Sequence, residues 1–251
     1  MSSPETFIIL FVAAFFAGFV DSIAGGGGLI SLPILLSVGL PPQLALGTNK
    51  FQSSFGSLTA ALYYRKKGLV SFRDAKQGIF FTFIGAALGA WTVQLVHIDF
   101  LSGVIPILLF VIALYTIFTP SLGSLHTVSK ISPSVFYLLF GLSLGFYDGF
   151  FGPGVGSFWA IVFVLLLGFE LTKATAYTKA MNFTSNTVSL AVFAIGGSIL
   201  YTHGLVMAAG QLAGARLGAR LAVTKGIGII RPLFIVVVLA TIGKLLYSRF
   251  F

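Results

Sequence analysis

The chain carries one glycine-rich motif twice, and each copy directly follows a long apolar segment. Residues 18–27 read GFVDSIAGGG, and residues 145–154 read GFYDGFFGPG. Both copies place an aspartate, Asp21 or Asp148, four residues before the glycine cluster. Glycines in series interrupt an apolar helix, and paired broken helices in a duplicated chain are typical of secondary transporters. The repetition therefore predicts two homologous halves, each built around a broken helix.

The composition indicates that the chain is built for a lipid environment. Hydrophobic residues make up 57% of the 251 residues and charged residues 8%, with a mean hydropathy of +1.03. Soluble domains contain about 25% charged residues, so we expect an all-α integral membrane protein. A spanning helix needs about 20 mainly apolar residues. Eight long segments are predicted to span: 6–24, 43–64, 78–96, 101–119, 133–151, 174–195, 205–223 and 229–247.

Two shorter apolar stretches, 29–38 and 157–167, follow the glycine clusters. They are too short to span a bilayer alone, so we expect half-helices or re-entrant arms. Each half then contributes four long segments, in repeats of 6–119 and 133–247 within a single transporter domain that covers 1–251. The first segment runs straight into the repeated motif, and we interpret it as retained structure rather than a signal peptide.

Loop charge predicts opposite orientations for the two halves. The loop 65–77 contains five Lys and Arg residues, whereas its counterpart, 196–204, contains no Lys or Arg. Lys and Arg concentrate on the cytoplasmic side of membrane proteins. The next pair of loops reverses the bias, because 97–100 has no Lys or Arg and its counterpart is flanked by Arg220, Lys225 and Arg231. We therefore expect an inverted repeat in which each glycine break turns the chain back and both termini lie outside the cytoplasm.

The two broken helices predict an anion site. A half-helix that begins after each break directs free N–H groups and the positive end of its dipole into the membrane interior, where they suit an anion. The alternative is that these glycines only permit close packing or a sharp turn. The residues assigned to the two breaks are Ser22, Gly25, Gly26, Gly27, Gly28, Gly152, Pro153 and Gly154.

A lysine stands at matching positions of the two halves, Lys50 and Lys179. A lysine inside a spanning helix costs about 2.5–3.5 kcal/mol on insertion scales, so it normally faces a cavity or a partner. On this interpretation the lysines carry the charge of an oxyanion site, and neutral neighbours supply hydrogen bonds. The alternative is that both lysines lie near helix starts and snorkel to the membrane interface. The neighbours assigned to substrate binding are Asn49, Gln52, Ser53, Thr178 and Asn182.

The remaining charged candidates each have more than one interpretation. Asp21 and Asp148 would carry a coupling cation or proton, or they would serve as structural partners of the lysines or caps of the half-helices. Arg216, toward the predicted cytoplasmic end of the seventh segment, is a candidate for an anion vestibule, whereas Arg220 is interpreted as a positive-inside anchor. Small-residue spacings in the third and seventh segments indicate helix packing within one chain or across a homodimer.

Other functional classes receive no support from the residues. The chain has no cysteine, which excludes disulfides and thiolate metal sites within it. The net charge of +9 is divided between loops and helix interiors without a continuous basic stripe, so we expect no nucleic-acid partner. No pairing of a nucleophile with a base stands near the glycine breaks. We therefore expect no cofactor, no metal and no enzymatic activity.

Five ordered strings resemble the sulfite exporter TauE/SafE family, and more closely its YfcA-like branch from the bacterial inner membrane. They are GFVDSIAGGGGLISLP, ALGTNKFQSS, GFYDGFFGPGVGSF, KATAYTKAMNFTSN and GQLAGARLGARL, and the match covers nearly the whole chain. The resemblance implies a multipass transporter of small sulfur-containing anions, such as sulfite or organosulfonates, that uses no ATPase subunit. On this resemblance we expect the anion at Asn49, Lys50, Thr178 and Lys179, beside the two breaks.

We therefore expect a secondary transporter of the inner membrane that holds a small oxyanion between Lys50, Lys179 and the broken-helix ends while its halves alternate access. One alternative is a proton- or sodium-coupled transporter of another small solute, with Asp21 and Asp148 as the cation sites. A lesser alternative is a non-transporting scaffold or an intramembrane enzyme. The expected partners are a small anionic substrate and the lipid bilayer, and the small-residue faces allow a homodimer.

Single cysteines test the inverted topology, because the chain has none of its own. In the inverted arrangement, only Ser71 of the three positions Ser71, Gly197 and Ser248 lies in the cytoplasm. We expect a membrane-impermeant maleimide added outside intact spheroplasts to label Gly197→Cys and Ser248→Cys and to spare Ser71→Cys. Labelling of Gly197→Cys from the cytoplasmic side alone would rule the inversion out.

Overall fold

The computed structural model describes residues 3–118 and 128–225, and every regular element within these ranges is a helix. A π turn, Tyr137–Gly141, joins two of the α-helices, Pro133–Phe136 and Leu142–Phe150, without a break in the helical path. The elements are α1 (Pro4–Ala24), α2 (Gly28–Ser37), α3 (Pro42–Lys66), α4 (Lys76–Gln94), α5 (Ile98–Phe118), α6 (Pro133–Phe136), α7 (Leu142–Phe150), α8 (Val155–Leu167), α9 (Leu171–Ile195) and α10 (Tyr201–Lys225).

The helices follow the predicted segments closely. Seven of the eight long segments coincide with α1, α3, α4, α5, α6–α7, α9 and α10, and the two short stretches coincide with α2 and α8. The eighth segment, 229–247, lies outside the described residues. By length and apolar composition, α1 is the one described helix that qualifies as a membrane span, with a mean hydropathy of 2.3. The long helices α3 and α9, of 25 residues each, carry buried polar side chains along their length.

Local chemistry fixes where the two halves begin. Ser3 accepts a hydrogen bond from the N–H of Thr6 and precedes Pro4, and Ser132 accepts one from the N–H of Val135 and precedes Pro133. Serine satisfies an otherwise unpaired N–H at a helix start, and proline fits the first helical position because it has no N–H to satisfy. Both α1 and α6 therefore start with the same Ser-Pro cap.

The helix breaks depend on glycine. The backbone has positive φ at Gly25 and Gly26 in the first break, with values of 77° and 99°, and at Gly152 and Gly154 in the second, with values of 101° and 85°. Residues with a side chain rarely adopt such angles. The chain consequently leaves α1 and turns into α2, and it leaves α7 and turns into α8, within a few residues.

The two halves are interleaved, because helices of each half pack mainly against helices of the other half. The central pair is α3 against α9, the second long helix of each half. The third long helix of each half packs on the first helix of the other half, so that α10 lies along α1 and α4 lies along α7. The small-residue faces make this contact: Gly214 lies against the backbone of Phe15, and Gly89 lies against the backbone of Phe146. These faces therefore pack within one chain.

Two groups of contacts define the ends of the helix bundle. At end A, Phe7 of α1 meets His203 of α10, with ring centroids 5.4 Å apart, and Gln43 of α3 donates to the carbonyl of Val96 beyond α4 at 3.0 Å. At end B, the N–H of Lys130 donates to the carbonyl of Leu166 in α8 at 2.8 Å. Helices α1, α3 and α10 begin at end A, whereas α4, α6 and α9 begin at end B.

The apolar core is divided into two clusters by a polar layer. One cluster lies toward end A and includes Leu10, Leu46 and Phe193, and the other lies toward end B and includes Tyr64, Trp159 and Ala222. Between them, the middle turns of α3 and α9 bury lysine, asparagine, glutamine, serine and threonine side chains. Buried polar groups in this number require partners, and the breaks supply them.

Substitution of the packing glycines tests the contact between halves. A Cβ at Gly89 or Gly214 collides with a backbone carbonyl of the facing helix, and overpacking of this kind costs about 1–3 kcal/mol. We expect Gly89→Ala and Gly214→Ala each to lower the melting temperature of the purified protein in detergent. The matched control is Gly103→Ala in α5, where no atom lies within 4 Å of the added carbon. Equal melting temperatures for all three variants would contradict the packing described.

Candidate functional site

The two helix breaks touch each other at the centre of the protein. Gly25 of the first break packs directly against the backbone of Gly156 at the start of α8, and Gly28 at the start of α2 packs against Pro153. The hydroxyl of Ser157 donates to the carbonyl of Ala24 at 3.1 Å. The N-terminal ends of α2 and α8 consequently converge on one small volume from opposite halves.

A cavity of about 30 Å³ occupies this point of convergence. Its volume corresponds to about two water molecules, since one water needs about 10–15 Å³ on the same measure. The polar side chains that line it come from α1, α3, α7, α9 and α10, and glycines of both breaks complete the wall. The lining residues are Asp21, Gly26, Gly27, Gly28, Asn49, Lys50, Ser53, Asp148, Gly152, Gly154, Val155, Gly156, Asn182, Asn186 and Gln211.

Two ion pairs cross between the halves at this cavity. Lys50 of α3 pairs with Asp148 of α7 at 2.5 Å, and Lys179 of α9 pairs with Asp21 of α1 at 2.9 Å. Each lysine therefore binds the aspartate of the other half. Matching geometry positions them, because each lysine stands eight residues after the first residue of its helix, Pro42 or Leu171.

Both lysines are enclosed. Lys50 is 1% exposed and Lys179 is 0% exposed. The alternative in which the lysines snorkel to an interface is therefore wrong, because each ammonium group ends on a carboxylate inside the protein. Each aspartate contacts a lysine, as the structural alternative for these residues expects. The Oδ1 of Asp21 also accepts the N–H of Gly27, the residue before α2, at 3.2 Å.

The two carboxylates differ in their surroundings. Asp148 is buried, with a side chain 3% exposed, and it accepts hydrogen bonds from the Lys50 ammonium and from the Ser185 hydroxyl. Lys50 also donates to the backbone carbonyl of Asp148. The side chain of Asp21 is 22% exposed and faces the cavity. The Lys50–Asp148 pair is therefore fully enclosed, whereas the Asp21 carboxylate of the other pair is partly exposed.

Asn49 lines the cavity, and its amide belongs to a buried hydrogen-bond network. Its Oδ1 accepts hydrogen bonds from Ser31 at 2.6 Å and from Gln52 at 2.8 Å. An amide N–H at such a site suits an anion.

Residues of α9 and α10 complete the polar wall. Asn182 is 3% exposed, and its Oδ1 has no hydrogen-bond partner among residues 3–118 and 128–225. A buried unpaired acceptor beside a cavity indicates a place for water or a ligand. Asn186, a neutral donor near Lys179 in the sequence, also lines the cavity, and so does Gln211, which was not assigned to the site from the sequence. The sequence could have identified Gln211, because it is the polar residue in the otherwise small and apolar stretch 210–214.

The structure brings most of the predicted site residues together, but not all of them line the cavity. Asn49, Lys50, Ser53 and Asn182 line it, whereas Gln52, Thr178 and Lys179 lie behind its wall. Among the break residues Ser22, Gly25 and Pro153 also stand outside the lining: Ser22 donates to the carbonyl of Phe19 and the other two pack between the halves. Arg216 is exposed on α10 and does not reach the cavity. Within the described residues no group of three or more His, Asp or Glu side chains could hold a metal ion.

Comparisons with known proteins all indicate one family of membrane transporters. The family model described as sulfite exporter TauE/SafE matches residues 10–245. The chain is 46% identical over 241 residues to a "Probable membrane transporter protein" of Haemophilus influenzae, an alignment that covers 96% of this chain and 94% of that protein. It is 45% identical over 248 residues to the "Probable membrane transporter protein YfcA" of Escherichia coli K12, covering 99% and 92%. No solved structure matches the chain.

A double-mutant cycle measures the interaction energy between Lys50 and Asp148. Removal of one partner of a buried pair leaves an uncompensated charge and costs about 3–5 kcal/mol. We expect Asp148→Asn and Lys50→Met each to lower the melting temperature strongly, and we expect the double variant to recover part of the loss because neither charge of this pair remains uncompensated. A double variant that is as unstable as the sum of the two single variants would show that the two side chains do not interact.

Proposed function

Since the chain belongs to the sulfite exporter TauE/SafE family, we propose that it is a secondary transporter that moves a small sulfur-containing anion, of the sulfite or organosulfonate class, across the bacterial inner membrane. The single observation that carries the anion assignment is the central cavity. There the N-terminal ends of α2 and α8, the Asn49 amide and the Lys50 ammonium converge from both halves. Helix starts, amide N–H groups and ammonium groups all stabilise negative charge.

The proposed multipass topology is an inverted repeat. Helix α1 begins at end A, whereas its counterpart α6–α7 begins at end B, and the exchange of contacts between halves is consistent with a twofold axis in the membrane plane. Of the twelve Lys and Arg within the described residues, two are the central lysines. The other ten stand at or toward end B: Arg65, Lys66, Lys67, Arg73, Lys76, Lys130, Lys173, Arg216, Arg220 and Lys225. This bias makes end B cytoplasmic.

Alternating access requires a route from the cavity to each end, and buried polar side chains trace one. On α9, the polar residues Asn182, Ser185 and Ser189 lead from Lys179 toward end A. On α3, the half-buried Ser53 and the buried Ser57 lead from Lys50 toward end B. Each helix therefore lines one half of the route.

Each route runs past the buried polar residues to a large buried aromatic side chain. Phe193 stands fourteen residues after Lys179, Tyr64 stands fourteen residues after Lys50, and both side chains are 0% exposed. The cavity of about 30 Å³ is smaller than an organosulfonate. Transport requires the halves to move apart at one end at a time.

A second candidate is favoured by the ion pairs themselves. Because both lysines are neutralised by aspartate, the layer holds no excess positive charge for an anion in this state. The same geometry suits a proton- or sodium-coupled transporter of another small solute, in which the carboxylates exchange their lysine for a cation.

Ligand-induced stabilisation of the purified protein separates the candidates. We expect one anion among sulfite, thiosulfate, sulfate, sulfoacetate and chloride to raise the melting temperature in a saturable way. A ligand at 100 times its Kd stabilises by about 2.7 kcal/mol. We expect Asn49→Ala to lower the affinity for that anion about tenfold or more, because the substitution removes a hydrogen bond to a charged group.

The matched control is Ser54→Ala. Ser54 is buried on the same helix, but its hydroxyl donates to the carbonyl of Lys50 at 2.8 Å and does not line the cavity. Its anion affinity should equal that of the unchanged protein. Stabilisation by sodium alone, with no response to any sulfur anion, would favour the second candidate and remove the sulfur assignment.

A further inference from the structure

The charges around the cavity sum to zero within the described residues. Lys50 and Lys179 contribute two positive charges, and Asp21 and Asp148 contribute two negative charges. Asp21, Lys50 and Asp148 are the charged residues of the described part of the chain that line the cavity, and Lys179 stands behind Asp21 as its ion-pair partner. An anion that enters this layer leaves it with a net negative charge away from water, which is strongly unfavourable unless a positive charge enters too.

We infer that Asp21 takes up a proton when the anion binds, so that the protein couples anion and proton movement. This inference rests on the proposed anion transport. The proton comes from solution and binds an oxygen of the Asp21 carboxylate, and no covalent bond of the anion changes. The neutral acid no longer holds the Lys179 ammonium by charge, so Lys179 becomes free to donate to the anion. One monoanion and one proton together move no net charge.

Geometry selects Asp21 rather than Asp148. Both oxygens of Asp148 are occupied by Lys50 and Ser185, and the side chain is enclosed. The Asp21 side chain is 22% exposed and lines the cavity, so a proton and an anion reach the same place. In the described part of the chain, its second oxygen is held only by the N–H of Gly27, at 3.2 Å.

The groups that face Asp21 from neighbouring elements are consistent with a switchable carboxylate. Lys179 of α9 contacts it directly, and Lys50 and Asp148 stand across the cavity. Tyr64 of α3 lies close by, and its hydroxyl donates to the backbone carbonyl of Ser22 at 2.7 Å. From α10 the neutral amide of Gln211 faces the cavity, and Arg216 is exposed elsewhere on that helix. Lys179 is thus the one cation in contact with Asp21 among the described residues.

Proton counting tests the inference. Isothermal titration of the purified protein with sulfate, methanesulfonate and sulfite, in two buffers of different ionisation enthalpy, gives the number of protons taken up per anion. Sulfate and methanesulfonate keep one charge state between pH 5 and 8, and the protons carried by sulfite itself are subtracted. We expect uptake of close to one proton per methanesulfonate, which is a monoanion, and an anion affinity that falls as the pH rises.

Two variants locate the proton. Asp21→Asn mimics the protonated acid, so it should bind the anion with no proton uptake and little dependence on pH. Asp21→Glu keeps a titratable group and should retain the proton. Anion binding by the unchanged protein without proton uptake overturns the coupling, and this result needs no variant to fold. Proton uptake that persists in Asp21→Asn overturns the assignment to Asp21.

Failure of the proposed anion transport would give a different experimental result from failure of the proton coupling. If none of the three anions binds the unchanged protein at any pH between 5 and 8, the anion assignment falls and the coupling falls with it. Binding without a proton leaves the anion assignment standing and removes only the coupling.

Discussion

The crossed ion pairs are the interaction on which the rest of the structure depends. Lys50 with Asp148 and Lys179 with Asp21 place four charges between two apolar clusters, where any unpaired charge is costly. Because each pair joins one half to the other, the halves cannot separate at the centre without exposing two lysines and two carboxylates to apolar surroundings. The pairs therefore fix the register of the halves and leave motion to the two ends of the bundle.

Glycine makes these pairs geometrically possible. A Cβ on Gly152 would lie 2.7 Å from the Lys50 ammonium, so a side chain there would displace the lysine from Asp148. Gly25 and Gly156 let the two breaks touch, which brings the aspartates of α1 and α7 within reach of lysines on α9 and α3. The same residue type thus turns the chain and clears the volume that the charges and the cavity occupy.

The helices were predictable from the sequence, whereas their partners were not. Apolar length and glycine clusters located α1 through α10 to within a few residues, because both signals are local. The pairing of Lys50 with Asp148 spans 98 residues, and the repeat fits equally well if each lysine binds the aspartate of its own half. Loop charge could not show that Arg216 faces outward, nor that Gln211 reaches the cavity, since both depend on how α10 lies along α1.

The two ion pairs are alike in how they connect but differ in their surroundings. Six residues after the second lysine stands Ser185, whose hydroxyl holds Asp148, and six residues after the first stands Gly56. A Cβ at Gly56 would collide with the amide of Gln211, so the missing side chain is what admits that amide to the cavity wall. Asp148 therefore has an extra donor, whereas Asp21 stays partly exposed. A site that both holds its halves together and exchanges a charge needs this difference, because one pair cannot do both.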